Sequence, residues 1–454
     1  MSQFQRNLSE GNVAKQLIFF AVPFILSNLI QSLYNVADMI IVGQFSGTVS
    51  MSGVNIGGQI TFIITNLVIG LAAGATVLIA QYLGAGQQKE LEETIGTLFT
   101  VLILAAVLFS ALMIVLRVPI LRLIQTPAES FDEANRYLTI TMAGTIFIFG
   151  YNALSAVMRG MGDSKRPLYF VGVACAVNVG LDLLMVKQWG MGASGAALAT
   201  VISQAASMIL CILYLKVNDF VFSFRLSAFG FHKERLKMLL KIGIPTSVQS
   251  FASSLSFLFL TTMVNGLGVT ASAAVGAVGK FNGFAILPAV AISNSVAAMS
   301  AQNIGAGKLD RAKKTFFIGL ALSFSFSTII FTLSRIFPEE ILSIFADDAD
   351  LVAAGKVYLT YFGLDYLVVP FFFNLNGLFN GSGHTTFSLI NGSMAAILVR
   401  IPACYFFGAI CGLGLGGYGL GAPCASLAAS LVGFGYFFSG RWTKSTIIRQ
   451  EASS

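Results

Sequence analysis

Twelve blocks of predominantly apolar residues, each long enough to cross a bilayer as a helix, constrain this chain more than any single motif in it. They fall at 17–42, 53–80, 95–117, 134–158, 168–186, 192–216, 239–264, 273–302, 315–334, 352–379, 387–410 and 416–439, with glycine, proline and charge clusters between them. A helix needs about 20 apolar residues to span a hydrocarbon core of about 30 Å, so the longest blocks imply tilt or turns that protrude into water. Barrel strands would be shorter and would alternate apolar with polar residues, and that alternation is absent. Charged residues make up 10% of the chain, against about 25% in soluble domains. The first block, from about Leu17, is followed by further spans rather than a small-residue cleavage site, which reads as a retained helix and not a secretory signal. The expected fold is an all-α integral membrane protein of twelve transmembrane helices.

Orientation follows from the basic residues. Of the 27 Lys and Arg, Lys280 and Arg400 fall within spans. Six others (Arg117, Arg122, Arg136, Lys187, Arg335 and Lys356) fall on one side, and the rest, from Arg6 to Arg449, fall on the other. Basic residues concentrate on the cytoplasmic side of membrane proteins, so both termini are expected inside a multi-pass cell membrane protein. The same distribution explains the net charge of +7 without a nucleic-acid partner. The outer loops carry acidic clusters at 129–133 and 339–350 instead.

The chain also repeats itself. Gln81-Tyr-Leu-Gly-Ala-Gly86 returns as Gln302-Asn-Ile-Gly-Ala-Gly307, Tyr137-Leu-Thr139 as Tyr358-Leu-Thr360, and Gly160 and Gly162 as Gly381 and Gly383. Pro23 and Pro245 open the first span of each half. Six spans per half is an even number, so both halves insert in the same orientation, related by a pseudo-two-fold axis along the membrane normal. The expected division is an N-lobe over 1–216, a polar and basic cytoplasmic connector over 217–238, and a C-lobe over 239–454 with the C-terminal tail. Paired lobes of this kind suit alternating access, in which a central cavity opens to one side at a time.

A carboxylate at mid-bilayer costs roughly 2.5–3.5 kcal/mol on insertion scales, so acidic residues inside spans mark sites to explain. Three occur: Asp38, Asp182 and Asp365. Gln31, Tyr34 and Asp38 are spaced i, i+3, i+7 and share a helix face, as Asn178 and Asp182 do at i, i+4. Thr200 adds a hydroxyl in the sixth span. If these faces converge, they form the oxygen-rich ligand set of a hard monovalent cation or of a proton relay. Two close carboxylates repel in a low dielectric, and a proton or Na⁺ would relieve that repulsion. A purely structural pair that fixes helix register is the alternative. Pro23 removes one helical hydrogen bond ahead of this face, giving a kink that is either static or bistable. On the fourth span Asn152 and Ser155, with Arg159 at its cytoplasmic end, either line the cavity or join helices by ordinary hydrogen bonds. In the second half Asp365 can pair with Lys280 or Arg400, as a structural couple or a second relay. His384 reads as a solvated turn residue. The five cysteines read as small buried hydrophobes; no disulfide framework is expected, and no metal site beyond a Na⁺ at Asp38 and Asp182.

With these residues in view, the chain resembles the multidrug and toxic compound extrusion (MATE) family over essentially its whole length. The resemblance is carried by the 6+6 repeat, the Leu-Gly-Ala-Gly turns, the Arg159–Pro167 loop and the first-half polar set. Tyr34, Asp38, Asn178, Asp182 and Thr200, with Pro23 ahead of them, look like the cation-coupling site of the DinF-type branch. The resemblance implies a V-shaped two-lobe fold and antiport of cationic or amphipathic organic compounds against H⁺ or Na⁺, with no cofactor. It also implies drug contacts at Gln31 and Asn152 in the first-lobe cavity, and a protein that functions as a monomer. NorM-type members carry a glutamate in the seventh span, where this chain reads Val248 to Ser256 without one, and an aspartate further along the tenth span than Asp365. A NorM-style second-lobe site is not expected. A flippase of lipid-linked precursors is the rival reading, though such chains usually have fourteen spans and cationic cavities. A membrane-embedded enzyme would need a nucleophile, metal motif or loop carboxylate pair; no HExxH or GxSxG occurs in a loop, and the one loop DxD, Asp348-Ala349-Asp350, belongs to the acidic cluster at 339–350.

Overall fold

The computed structural model describes residues 5–218, 220–225, 228–345 and 348–448, apart from the side chain of Leu67. Arg449, and parts of the 217–238 connector and of the 339–350 acidic cluster, lie outside the described residues. Among the described residues the secondary structure is entirely helical. That is the expected outcome in lipid, where a helix satisfies its own backbone groups and an open strand edge does not.

The helix α1 (Val13–Gly84) runs for 72 residues, which would make a straight rod of about 108 Å. No bilayer accommodates that length, and Gly47 interrupts it with φ 80° and ψ 179°, a backbone region that glycine enters without steric cost. The two arms of α1 are the first two spans. The third is α2 (Gln88–Leu123), and α3 (Ala128–Ala143) with α4 (Thr145–Gly160) is a span bent by 52°. The fifth is α5 (Lys165–Asp182) continued by a π-helical turn at Leu183–Gln188, and the sixth is α6 (Gly192–Val217).

The second half follows the same plan. It comprises α7 (Lys233–Asn265), the bent pair α8 (Val269–Ala285) and α9 (Leu287–Gly305), α10 (Leu309–Ile336), and a short α11 (Pro338–Ser343). The bent pair α12 (Ala349–Phe362) and α13 (Asp365–Gly381) comes next. The eleventh span is α14 (Thr385–Met394), a π turn at Ala395–Arg400, α15 (Ile401–Tyr405) and a second π turn at Phe406–Ile410. The twelfth is α16 (Gly414–Gly419) with α17 (Gly421–Phe438). Counting each bent pair once gives eleven apolar helices, and the break in α1 makes twelve.

Two compact units emerge, one formed by Val22–Ile244 with the residues up to Asn7, the other by Pro245 onward with Leu8–Ala21. The division therefore differs from 1–216, 217–238 and 239–454. Leu8–Ala21 groups with the second unit because Arg311 donates five hydrogen bonds to it, to the carbonyls of Leu8 (twice), Glu10 and Gly11 and to Gln16 Oε1. Gln302 Oε1 also accepts from the Leu8 N–H at 2.6 Å, and Lys308 Nζ donates to the Ser9 carbonyl at 3.0 Å. The chain passes from one unit to the other at Ala21–Val22, one residue before Pro23.

The connector is not a solvated strap. Phe99 of α2 lies 5.4, 6.0 and 6.2 Å from the rings of Phe222, Phe224 and Phe229. Arg235 anchors the start of α7 to the first unit through Glu93 at 3.0 Å and the Tyr82 hydroxyl at 3.1 Å. Aromatic burial thus outweighs the segment's basic composition. His384 is not simply solvated either: its Nε2 donates to the Lys444 carbonyl at 2.9 Å, and Nδ1 accepts from the Tyr436 hydroxyl at 2.8 Å. Cys411 is exposed, unlike the buried Cys211 and Cys404, and all five thiols are free. Large apolar side chains such as Leu104, Leu108 and Val115 are exposed along α2, the arrangement that a lipid-facing helix requires.

Candidate cation-coupling site

In the first unit, α1, α5 and α6 bring together side chains that sequence spacing placed on three separate helix faces. Asp38 is 6% exposed and Asp182 is fully buried. Their carboxyl groups lie within hydrogen-bonding reach of each other. Such a contact is favourable only with a proton or a cation between the two groups, since bare carboxylates repel. Asp182 closes α5, where the helix switches to its π turn at Leu183. A π turn offsets the backbone by one residue, and such offsets recur at functional sites.

Around this pair, Asn178 is buried one turn before Asp182. The Tyr34 hydroxyl is within hydrogen-bonding reach of Gln31 and Gln204. Tyr137 of α3 stands beside Tyr34, Asp38 and Asp182, and approaches closely because Gly57 faces its ring: a Cβ there would sit 2.6 Å from it. Ile41, Val42, Val54, Val186, Ala193, Ala196 and Ala197 join Tyr137 in the surrounding apolar pack. Oxygen atoms of Asp38, Asn178, Asp182, Thr200 and Gln204 are buried without a hydrogen-bonding partner. Among the described residues no lysine or arginine is ion-paired with Asp38 or Asp182. Carboxylate, amide and hydroxyl oxygens in this number fit a hard cation or a proton.

Of the expected set, Tyr34, Asp38 and Asp182 are neighbours, and Asn178 and Thr200 carry unpartnered buried oxygens on α5 and α6. Gln204 and Tyr137 were missing from that set. The polar stripe Thr200, Ser203, Gln204 and Ser207 on α6 carried the signal for the first; the second showed only as part of the repeat. The expected cavity residues fare differently. Gln31 is exposed beside Tyr34. Asn152 is half-buried, with its amide donating to the Ile148 carbonyl of its own helix at 2.8 Å. Ser155 is 2% exposed, so it lies inside the helix packing and not on an open wall. Pro23 is buried, and its carbonyl accepts from the Ser27 hydroxyl at 2.8 Å, a back-bond that favours bending. Arg159 sits 4.6 Å from the ring of Phe24, the next residue, and donates to the Ser155 carbonyl at 3.1 Å.

The second unit answers the pairing question for Asp365. Lys280 is exposed and makes no ion pair with it. Arg400, at the end of a π turn, is its electrostatic neighbour, and Ser426 is within hydrogen-bonding reach of its carboxyl. The guanidinium lies 4.3 Å over the Phe257 ring. Asp365 Oδ1 and Arg400 Nε and Nη1 make no direct hydrogen bond. A cavity of about 20 Å³ lined by Arg400, Ser426 and Ser253 lies beside them, roughly the volume of one water.

Comparison with known proteins follows from this geometry. The MatE family profile matches residues 23–184 and, a second time, 245–406. The chain belongs to the MATE family of transporters. Two Bacillus subtilis proteins, both named probable multidrug resistance protein (YpnP and YoeA), are similar over the full length. They are 29% and 28% identical, covering 96% and 97% of this chain and 97% and 96% of their own. The fold matches a solved outward-facing multidrug resistance MATE transporter with a TM-score of 0.91 at 21% identity, over 97% of this chain and 98% of that one. The twelve-helix, two-lobe layout fits the fold of this family, which is a family of transporters.

The two matched segments begin and end 222 residues apart, while the repeat between those ends, from Gln81/Gln302 to Gly160/Gly381, runs at 221. At the 222-residue offset of the segment ends, Asp38 near the start corresponds to Leu260 and Asp182 near the finish to Cys404. Leu260 and Cys404 belong to one buried apolar cluster with Tyr358, Tyr366 and Tyr418. This MATE transporter thus carries two neighbouring carboxyls in one unit, while the corresponding Leu260 and Cys404 of the other belong to a buried apolar cluster, with Arg400 beside Cys404.

Proposed function

We propose that this protein is a secondary active multidrug exporter of the DinF-type branch, antiporting cationic or amphipathic organic compounds against H⁺ or Na⁺ by alternating access. The single observation that carries the reading is the Asp38–Asp182 contact, two facing carboxyls in an apolar helix pack with unpartnered oxygens around them. Binding a proton or Na⁺ there removes a repulsion and lets α1, α5 and α6 draw together; release toward the other side lets them part. Tyr34 stands between Asp38 and Gln31, with Gln204 beside it, which puts the expected drug contact close to the coupling site. Pro23, at the passage between units, is the bend through which that change reaches the rest of α1. Both termini lie in the cytoplasm, in keeping with the basic residues of the inner loops, and one chain suffices for transport.

Twelve spans and relatives named for multidrug resistance favour drug export over a lipid-precursor flippase. The test is efflux from proteoliposomes under imposed H⁺ or Na⁺ gradients, comparing wild type with Asp38→Asn, Asp182→Asn and Asp365→Asn. The first two variants are expected to lose gradient-driven efflux, and the ion whose gradient drives wild type names the coupling ion. Full efflux by both would refute the coupling role, and loss in Asp365→Asn alone would move it to the second unit.

A further inference from the structure

Away from the carboxyl pair, the first unit contains a cavity of about 640 Å³ where α5 begins and α6 ends. Arg6, Lys165 and Arg166 line it together with a single carboxylate, Asp163, and with Tyr169 and Tyr214. The Arg166 side chain is held in place, and the backbones of Lys165 and Arg6 are fixed at the rim. Asp163 Oδ1 accepts the backbone N–H groups of Lys165 and Arg166 at 3.0 and 3.2 Å, and its other oxygen is ion-paired with the Arg166 guanidinium. Arg166 Nε donates to the Tyr214 hydroxyl at 3.2 Å, with the guanidinium 5.6 Å from that ring. The Arg6 N–H donates to the Met161 carbonyl at 3.0 Å, which ties the N-terminal arm to the same rim.

An apolar flank continues from this rim. Tyr169 and Val173 follow Lys165 at one-turn intervals along α5, and both are exposed, Tyr169 at 66%. On α6, Leu210, Leu213 and Val217 are exposed on the face that carries Tyr214, Val217 at 81%. Phe170 and Tyr214 meet at 5.9 Å where the two helices pack. Three cations against one carboxylate call for a dianionic or monoanionic oxyacid. Exposed tyrosines mark the level of lipid headgroups, and exposed leucine and valine below them belong against acyl chains.

We propose that this cavity binds the phosphate-bearing headgroup of an anionic phospholipid, whose chains lie along Val173 on α5 and Leu210 and Leu213 on α6. The phosphate sits among Arg6, Lys165 and Arg166, and the tyrosines bracket the glycerol. The inference requires only that the chain spans a membrane and does not depend on the coupling ion or on the transported compound.

The test measures lipid binding to the full-length purified protein in detergent by native mass spectrometry. Dioleoyl phosphatidylglycerol is compared with dioleoyl phosphatidylcholine, glycerophosphoglycerol and inorganic phosphate. Wild type is expected to prefer phosphatidylglycerol over phosphatidylcholine, with both soluble anions far weaker. Arg6→Gln and Lys165→Gln should each weaken phosphatidylglycerol binding about fivefold, while Lys313→Gln, an exposed cation of the second unit, should change nothing. Lys165→Arg should keep wild-type binding, which separates charge from a folding defect. Retention of the lipid preference in Arg6→Gln/Lys165→Gln, or failure of Lys165→Arg, would overturn the proposal. So would phosphate binding as tightly as the lipid.

Discussion

Asp38 on the first arm of α1 and Asp182 at the end of α5, far apart in sequence, bring their carboxyl groups together, and the positions 222 residues on, Leu260 and Cys404, lie in one apolar cluster. The halves share an architecture, but at this one place they have opposite chemistry.

That difference can be transplanted. Asp38→Leu with Asp182→Cys gives the first unit the residue types that the second carries at the corresponding positions. Replacing a buried ionisable pair with apolar groups of similar size is often neutral or stabilising, by about 1–4 kcal/mol. The expected outcome is a thermal midpoint at or above wild type together with no gradient-driven efflux. A large fall in the midpoint would mean that the pair is chiefly structural.

Asp365 and Arg400 should behave as one unit. Arg400→Gln alone leaves the buried Asp365 carboxyl without its cationic neighbour, whereas Arg400→Gln with Asp365→Asn removes both charges. Coupled neighbours show interaction energies of about 0.5–3 kcal/mol. In a double-mutant cycle read by thermal midpoint, the double variant should be more stable than the two single losses added together.

Arg311 fastens the N-terminal segment to the second unit through five hydrogen bonds. Hydrogen bonds to charged groups contribute about 1.5–3 kcal/mol each where they are well made. Arg311→Ala should therefore raise hydrogen exchange of the amides from Leu8 to Gln16 by at least about tenfold, with little change along α5. Unchanged exchange would mean that other contacts suffice to hold the segment.

Trp442 closes the base of the second unit. It is 1% exposed, stacks on Phe437 with centroids 5.5 Å apart, and donates its indole N–H to the Phe437 carbonyl at 3.1 Å. Trp442→Ala should lower stability by about 3–5 kcal/mol, and Trp442→Phe by about 1 kcal/mol through the lost hydrogen bond. Thermal inactivation of the purified protein orders the two variants.

Span positions, the repeat and the charged residues inside spans were legible in the chain because each rests on local physics: hydropathy over about twenty residues, helical spacing, and the cost of charge in lipid. The same reasoning put Tyr34 and Asp38 on one face and Asn178 and Asp182 on another. It could not see Gln204 reaching Tyr34, since that contact joins α1 to α6. Nor could it see that Ser155 turns into the helix packing, because spacing on α4 is the same whichever neighbour the face meets. The packing of the 217–238 connector was hidden for a related reason: its composition is polar and basic, and Phe222, Phe224 and Phe229 have Phe99 to bury against only after α2 is in place.

By itself, then, the sequence determined that this chain crosses a membrane twelve times as two like halves, and which carboxylates it carries across. Only the tertiary structure decided that Asp38 and Asp182 meet, that Asp365 has Arg400 and not Lys280 beside it, and that Leu8–Ala21 belongs with the second unit. Each of these depends on which faces of distant helices pack together, and that is fixed by contacts between spans, which the periodicity within any one span does not contain.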